Sequence, residues 1–277
     1  MAIDNFIPEI WAAGVTQSFI ANQVVIPTLN TQFTGQVTRG NQVHIINATT
    51  PTIVDYAAAG RSITAEALAD TEVLLNIDQE KAFSVNVDDV DKVQASSEFG
   101  PWVDSAGRAL AEDAEEYVIA QMLAGSSQAN PDAVVVDTPA EARAAVRAIR
   151  KAMSNGKVPT SDRFMVVNPD FADLLIDGLS DAAVAGGTEE LRNGQILRLY
   201  GFNIVESSLL TVGGDEPSRP AAIGYHSSMV AYANQINSLE ALRNPTKFAD
   251  IVRGLNVYGA KVLKPEAVVR YVSAPAA

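Results

Sequence analysis

Residues 194–207 read GQILRLYGFNIVES. Two glycines bracket a run in which apolar side chains keep returning: Ile196, Leu197, Leu199 and Tyr200 before Gly201, then Phe202, Ile204 and Val205 after it. The pattern predicts an amphipathic segment, ILRLY, a turn at Gly201, and a strand, FNIVES. No catalytic constellation accompanies it. A stretch of this kind supplies shape, and its neighbours on both sides have the same character.

Upstream, Thr138-Pro139-Ala140-Glu141 is a capping box with proline at the first helical position. The helix it opens, EARAAVRAIRKAMSNG, ends at Gly156. FMVV at 164–167 reads as a buried strand, and Asn168-Pro169 restarts a helix that carries Phe171, Leu174, Leu175 and Ile176. Downstream, AAIGY at 221–225 is another strand, and the tail from Leu239 to Val272 alternates enough to be mostly β.

The clearest helix is PWVDSAGRALAEDAEEYVIAQMLA at 101–124. Val103, Ala106, Leu110, Ala114, Tyr117, Val118 and Met122 follow a 3.6 period, while Arg108, Glu112, Glu115 and Glu116 fall on the other side. Before it, QVHIIN (42–47) alternates Val43 and Ile45 against Gln42, His44 and Ile46, and TEVLLNI (71–77) and AFSVNV (82–87) are short and β-prone. If the strands flanking 50–70 pair, they form a long two-stranded arm. An isolated ribbon is marginally stable in water, so such an arm needs a partner surface. Trp11, Val15 and Phe19 form an i, i+4, i+8 row behind Pro8. This predicts a short helix with one apolar stripe, which packs either on its own chain or on a neighbour. The layout is α+β, with a helix-and-sheet insertion between a long helix and a C-terminal sheet.

The 277 residues are 47% apolar and 19% charged, which is the balance of a folded chain with room for one large domain or two ordinary ones. The net charge of −13 makes sequence-specific nucleic-acid recognition an unexpected role, because an acidic chain gains nothing from counterion release. A wall beside DNA that must not stick to it is, by contrast, better neutral or acidic than basic. Cysteine is absent, which removes disulfides, cysteine zinc sites and cysteine nucleophiles. No apolar run approaches a membrane span, and MAIDNFIPEIW lacks a secretory pattern, so cytoplasmic synthesis is expected.

The candidate chemical groups read as structural. His226-Ser227-Ser228 is a turn or cap, since no G-x-S-x-G elbow supplies a nucleophile. His44 is a strand histidine. Asp88-Asp89-Val90-Asp91 lacks the glycine and terminal glutamate of a calcium loop. Glu112 and Glu116 share a helix face at i, i+4 without a histidine, so Glu112, Asp113, Glu115 and Glu116 read as a solvated face or as partners for another chain's cations. There is no phosphate loop. No enzyme, cofactor or metal is expected.

FIPEIW, TEVLLNIDQEKAFSVNVDDVDKVQ, FMVVNPDFADLL, GQILRLYGFNIVES and VYGAKVLKPEAVVRY, in this order and spacing, resemble the major capsid protein of tailed bacteriophages, whose coat fold also builds encapsulin shells. The resemblance covers essentially the whole chain. It implies an N-terminal arm at 1–34, an extended loop at 35–86 and a peripheral domain at 87–137 with a spine helix at 101–124. An axial domain at 138–237 and peripheral strands at 238–277 complete the assignment. The implied assembly contacts are Phe6, Ile10, Trp11, Val15 and Phe19 on the arm, Tyr56 and Arg61 on the loop, and Glu112 and Glu116 on the helix. The implied role is a subunit that self-assembles through pentamers and hexamers into an icosahedral virion shell around double-stranded DNA, made in the host bacterial cytoplasm. DNA is then enclosed without sequence-specific binding, no membrane is involved, and scaffold, portal and decoration proteins are possible partners. The start of the chain leaves no room for a long scaffolding segment, which implies a separate scaffold or none. Some relatives crosslink Lys to Asn between subunits; Lys81 and Lys92 do not fall on that motif, so crosslinking is not expected. The alternatives are an encapsulin-type compartment and a soluble hydrolase.

Overall fold

The computed structural model describes residues 23–34, 41–48, 52–62, 70–88, 100–130, 134–183, 198–211, 219–246 and 248–274. Eleven strands and three helices of these residues position the surfaces discussed below. Helix α1 spans Gly100–Gly125, one residue beyond the expected helix at each end, and 26 residues at ~1.5 Å give about 39 Å. Its Ala111, Ala114, Val118, Ile119 and Met122 are buried at helical spacing. Small alanines alternate with larger side chains here, so the helix lies close to the strands beneath it.

A six-stranded sheet forms the main body. In spatial order it runs β4 (Ser127–Gln128), β11 (Val268–Val272), β8 (Ala221–His226), β5 (Arg163–Val167), β7 (Phe202–Glu206) and β6 (Arg198–Leu199). FMVV, read as a buried strand, and AAIGY, read as a strand, are its centre: β5 pairs parallel with β7 and antiparallel with β8. The hairpin β6–β7 turns through Tyr200 and Gly201, both at positive φ (47° and 88°). That is the two-residue turn whose twist suits a hairpin, and glycine takes its second position without strain.

The two faces of this sheet are covered differently. Helix α1 packs with Val166, Ile223, Tyr225 and Val268 on one face. On the other, α2 (Pro139–Asn155) and α3 (Pro169–Ala183) enclose Met165, Val167, Ala222 and Val269. Helix α2 starts as expected, with both halves of the Thr138/Glu141 capping box formed. Its end differs in detail: Gly156 has φ −72°, and the left-handed position falls on Lys157 (φ 56°). The N–H groups of Lys157 and Val158 then bond back to Ser154 and Met153, closing the last turn. Asn168 caps α3, accepting from the Phe171 N–H at 3.1 Å and from the Ala221 N–H at 3.0 Å, so one buried amide ties the helix start to β8.

The long strands β9 (Val230–Arg243) and β10 (Ala249–Val262) pair with each other, and β10 also pairs with β3 (Gln79–Asp88). Two expected boundaries change here. Strand β9 continues past 237/238 as one strand, with a bulge at Asn237 opposite Leu255 and Asn256, and β11 leaves the tail to join the six-stranded sheet instead of extending the three-stranded one. A local alternation pattern carries no information about which sheet a strand enters.

The strands flanking 50–70 do pair: β1 (Gln42–Ala48) and β2 (Asp70–Asn76) form an antiparallel ribbon in the register Val43↔Leu75 and Ile45↔Val73. Its inner face, with Ile45, Leu75 and Ile77, packs on Ala231, Ala233 and Val257. The crossing is tight, since a Cβ on Gly259 would sit 2.1 Å from the Asn76 carbonyl oxygen and 3.0 Å from the Ile77 Cα. Both obstacles are backbone and cannot rotate away. We expect Gly259→Ala to displace the ribbon root and cost about 1–3 kcal/mol in urea unfolding; an unchanged midpoint would show that the root is not seated there.

Candidate functional site

The outer end of the β1–β2 connection is exposed yet internally organised. Asp55 Oδ1 accepts the N–H groups of Ala57 (2.9 Å) and Ala58 (3.2 Å), and the Asp55 carbonyl accepts the Ala59 N–H at 3.0 Å. Gly60 and Arg61 follow with φ of 67° and 61°, and the Arg61 N–H returns to the Tyr56 carbonyl at 2.9 Å. This aspartate-nucleated turn presents Ile53 (94% exposed), Val54 and Tyr56 (52% exposed) to solvent, with Arg61 beside them. Large apolar side chains held out on a preformed tip are a surface that a partner could cover. On the outward face of the ribbon below, Ile46 and Leu74 are also exposed, and His44 contacts Glu72.

Further exposed apolar side chains lie at the far end of the three-stranded sheet: Phe248 (82% exposed) in the β9–β10 turn, with Leu242 on β9 and Val85 on β3 on opposite faces of the sheet. Strands of 14 residues at ~3.3 Å each reach roughly 46 Å, and at the end away from Phe248 both are buried, over Val230–Ala233 on β9 and Asn256–Ala260 on β10.

Sequence-expected contacts fall in three places. Tyr56 and Arg61 are together on the tip. Glu112 and Glu116 are exposed on α1, apart from the tip in the fold. Phe6, Ile10, Trp11, Val15 and Phe19 lie outside the described residues, as do Asp89, Asp91 and Lys92. Lys81 is paired within its own chain, to Asp113 at 3.1 Å. Asp113 also accepts from the Tyr258 hydroxyl at 2.5 Å, and burial followed by this bond raises the Tyr258 pKa.

The expectation of one solvated acidic face is corrected at Glu115. It is 3% exposed, and its Oε1 accepts backbone N–H groups from Val24, Val25 (2.6 Å) and Ile26 (3.4 Å). Burial raises its pKa above the ordinary 4.5, with the three N–H groups pulling the other way. Spacing carried a signal for this, since Glu115 lies four residues after Ala111 and three before Val118, on the buried stripe. The same contact corrects the arm expected at 1–34. Val25, Ile26 and Leu29 are buried in the core of their own chain, and Asn30 forms a parallel bridge to Ala231.

His226 performs the capping role. Its Nδ1 accepts the Ser228 N–H at 3.3 Å and meets the Ser228 hydroxyl at 2.9 Å, at the head of a short 3-10 turn over Ser227–Met229. Burial lowers its pKa, which favours the neutral acceptor form, and its Nε2 is buried with no partner among the described residues, none of whose carboxylates bonds the ring as a triad requires.

A family model described as phage capsid protein matches residues 70–271. Among solved structures, a chain from Mycobacterium phage Che8 is 34% identical over 90% of each chain, with a TM-score of 0.78. The capsid of the cyanophage P-SCSP1u is 15% identical over 87% of this chain and 85% of that one, with a TM-score of 0.70. A virus-like particle from Pyrococcus furiosus is 13% identical over 97% of this chain and 100% of that one, with a TM-score of 0.62. At such identities the last two share the fold alone. No curated protein matches the chain.

Removing the Glu115 acceptor leaves buried N–H groups unpaired. Glu115→Ala is therefore expected to cost about 2–4 kcal/mol in chemical unfolding, and Glu115→Gln, which keeps an oxygen, clearly less. Because the folded pKa is raised, the folded state holds this proton more tightly than the unfolded chain. The wild type should be most favoured relative to Glu115→Gln below pH 4.5 and lose that advantage as pH rises through the raised value. A stability difference flat across this window would contradict the assignment.

Proposed function

This chain belongs to the phage capsid protein family, and we propose that it builds an icosahedral shell by repeating one set of contacts around pentamers and hexamers. As a capsid protein it is a virion component with a structural role. The observation that carries the assembly reading is the tip with Ile53 exposed, at the end of a ribbon whose root is bolted into its own core. A monomer gains nothing from an exposed isoleucine held out on a preformed turn. A neighbouring copy that covers it gains apolar burial, at about 25 cal/mol per Å², without paying to order the loop.

On this reading the ribbon with its tip is the extended loop, α1 with the three-stranded sheet is the peripheral domain, and α2, α3 and the six-stranded sheet are the axial domain that gathers at vertices. The tip and the β9–β10 turn with Phe248 are different surfaces, so a contact between them is heterologous and closes into rings when the rotation allows. The excess of acid fits a wall around double-stranded DNA that is enclosed and not gripped. Synthesis in the host cytoplasm and cooperation with scaffold, portal and decoration proteins belong to the same proposal.

Two variants test it. A chain lacking residues 2–22 retains the Val24–Ile26 backbone that Glu115 holds and should fold, while losing normal shells by negative-stain microscopy if the arm joins neighbours. Tyr56→Ala should leave the melting temperature in place and weaken the subunit contact by about 1–2 kcal/mol, read as a rise in the subunit concentration needed for assembly. Normal shells from both variants would remove arm and tip from the assembly contacts.

A further inference from the structure

Helices α2 and α3 lie against each other on one face of the six-stranded sheet and carry opposite charges on their outer surfaces. Residues 142–161 contain Arg143, Arg147, Arg150, Lys151 and Lys157 and no acid. This is a local +5 in a chain of −13, which leaves −18 for everything else. The buried Ala142, Ala145, Val146, Ile149 and Met153 turn one side of α2 to the sheet. At about 100° per residue, Arg147, Arg150 and Lys151 therefore point away from it, and all three are exposed. On α3, Phe171, Ala172 and Leu175 are buried, and Asp170 and Asp173 are exposed. Arg143 and Asp177 each already have an interaction within the chain. Among the described residues, Arg147, Arg150, Lys151, Asp170 and Asp173 form no ion pair or side-chain hydrogen bond.

We propose that this surface is an electrostatic seam between copies, in which the basic stripe of α2 in one subunit meets the acidic stripe of α3 in the next. The proposal rests on the self-assembly reading above and names residues for one of its contacts. A second copy suits the surface better than a nucleic acid. Phosphates laid along Arg147 and Arg150 would run beside the carboxylates of Asp170 and Asp173 on the adjoining helix, and the rest of the chain repels them. An identical chain offers the opposite stripe on the same kind of scaffold. Exposed pairs are individually weak, so the seam selects orientation and register around a ring while apolar contacts hold it together.

The test uses two charge reversals in the full-length protein: Arg147→Glu/Arg150→Glu/Lys151→Glu on α2, and Asp170→Lys/Asp173→Lys on α3. Each alone faces like charge with like, and half-assembly by light scattering should require about 10-fold more subunit at low salt, the difference fading near 1 M salt. Mixed in equal amounts, the reversed α2 meets the reversed α3 at one contact and the unchanged stripes meet at the next, so assembly should recover. Strict alternation needs an even ring, so recovered rings should be six-membered in preference to five-membered. Pairing of α2 with α3 inside one chain cannot produce recovery on mixing. Thermal melting of each variant reports folding, and where reversal lowers it, the neutral sets Arg147→Gln/Arg150→Gln/Lys151→Gln and Asp170→Asn/Asp173→Asn replace the reversals, with about a 3-fold shift expected.

Assembly unaffected by either variant would overturn the seam and leave the shell reading standing. Loss in both variants without recovery on mixing would overturn the second copy as partner. Duplex DNA binding by the wild type that the α2 variant abolishes would assign the stripe to phosphates instead. A wild type that never assembles would fail the shell reading itself, and the seam with it.

Discussion

A carboxylate withdrawn from water must be answered by donors, and Glu115 is answered by the backbone of a distant part of its own chain. Neither partner is comfortable alone: the charge resists burial, and the N–H groups of Val25 and Ile26 would lack acceptors in the core. Joined, they hold the start of the described chain against α1, and the residues that follow are committed. Val25, Ile26 and Leu29 enter the core shared by α1 and the six-stranded sheet. The Thr28 hydroxyl then meets the Tyr225 hydroxyl on β8, and Asn30 bridges to Ala231 on β9. One acid thereby connects the long helix, the main sheet and the root of the long strands.

That junction gives the molecule a firm centre from which less supported parts project. The β1–β2 ribbon is firm where Ile45, Leu75 and Ile77 meet β9 and β10 and where Gly259 lets its backbone pass. Its tip keeps its shape through local bonds, those to Asp55 and the return of the Arg61 N–H to the Tyr56 carbonyl. The β9–β10 pair follows the same plan, buried at Val230–Ala233 and ending at an exposed Phe248. A shell subunit benefits from this division. The centre holds the orientation of each projection, and the projections can bend slightly to meet neighbours in non-identical surroundings.

Much of this was legible before any coordinates. The helix at 101–124, the Thr138 capping box, the buried strand at 164–167, the strand at 221–225 and the turn at Gly201 are all local, decided by side-chain spacing and backbone preference within a few residues. The illegible parts are those in which a residue's role depends on something far along the chain. Glu115 carries the same side chain as Glu112 and Glu116 and differs only in what arrives opposite it from residue 24. Gly259 looks like any strand glycine until the ribbon crosses it. Of the expected contacts, Tyr56 and Arg61 proved to share a surface, which no periodicity could state, because the turn that unites them is made by Asp55.

By itself, then, the sequence determined the elements, their order, the absence of cysteine chemistry and a charge balance suited to a wall. Tertiary structure alone decided which sheet β11 enters, which acid is buried, how the ribbon is seated and which stripes face outward. The physical reason lies in range. Hydrogen bonds along helices and the alternation of strands are set by neighbours in sequence, whereas burial, desolvation and close backbone approach are set by neighbours in space.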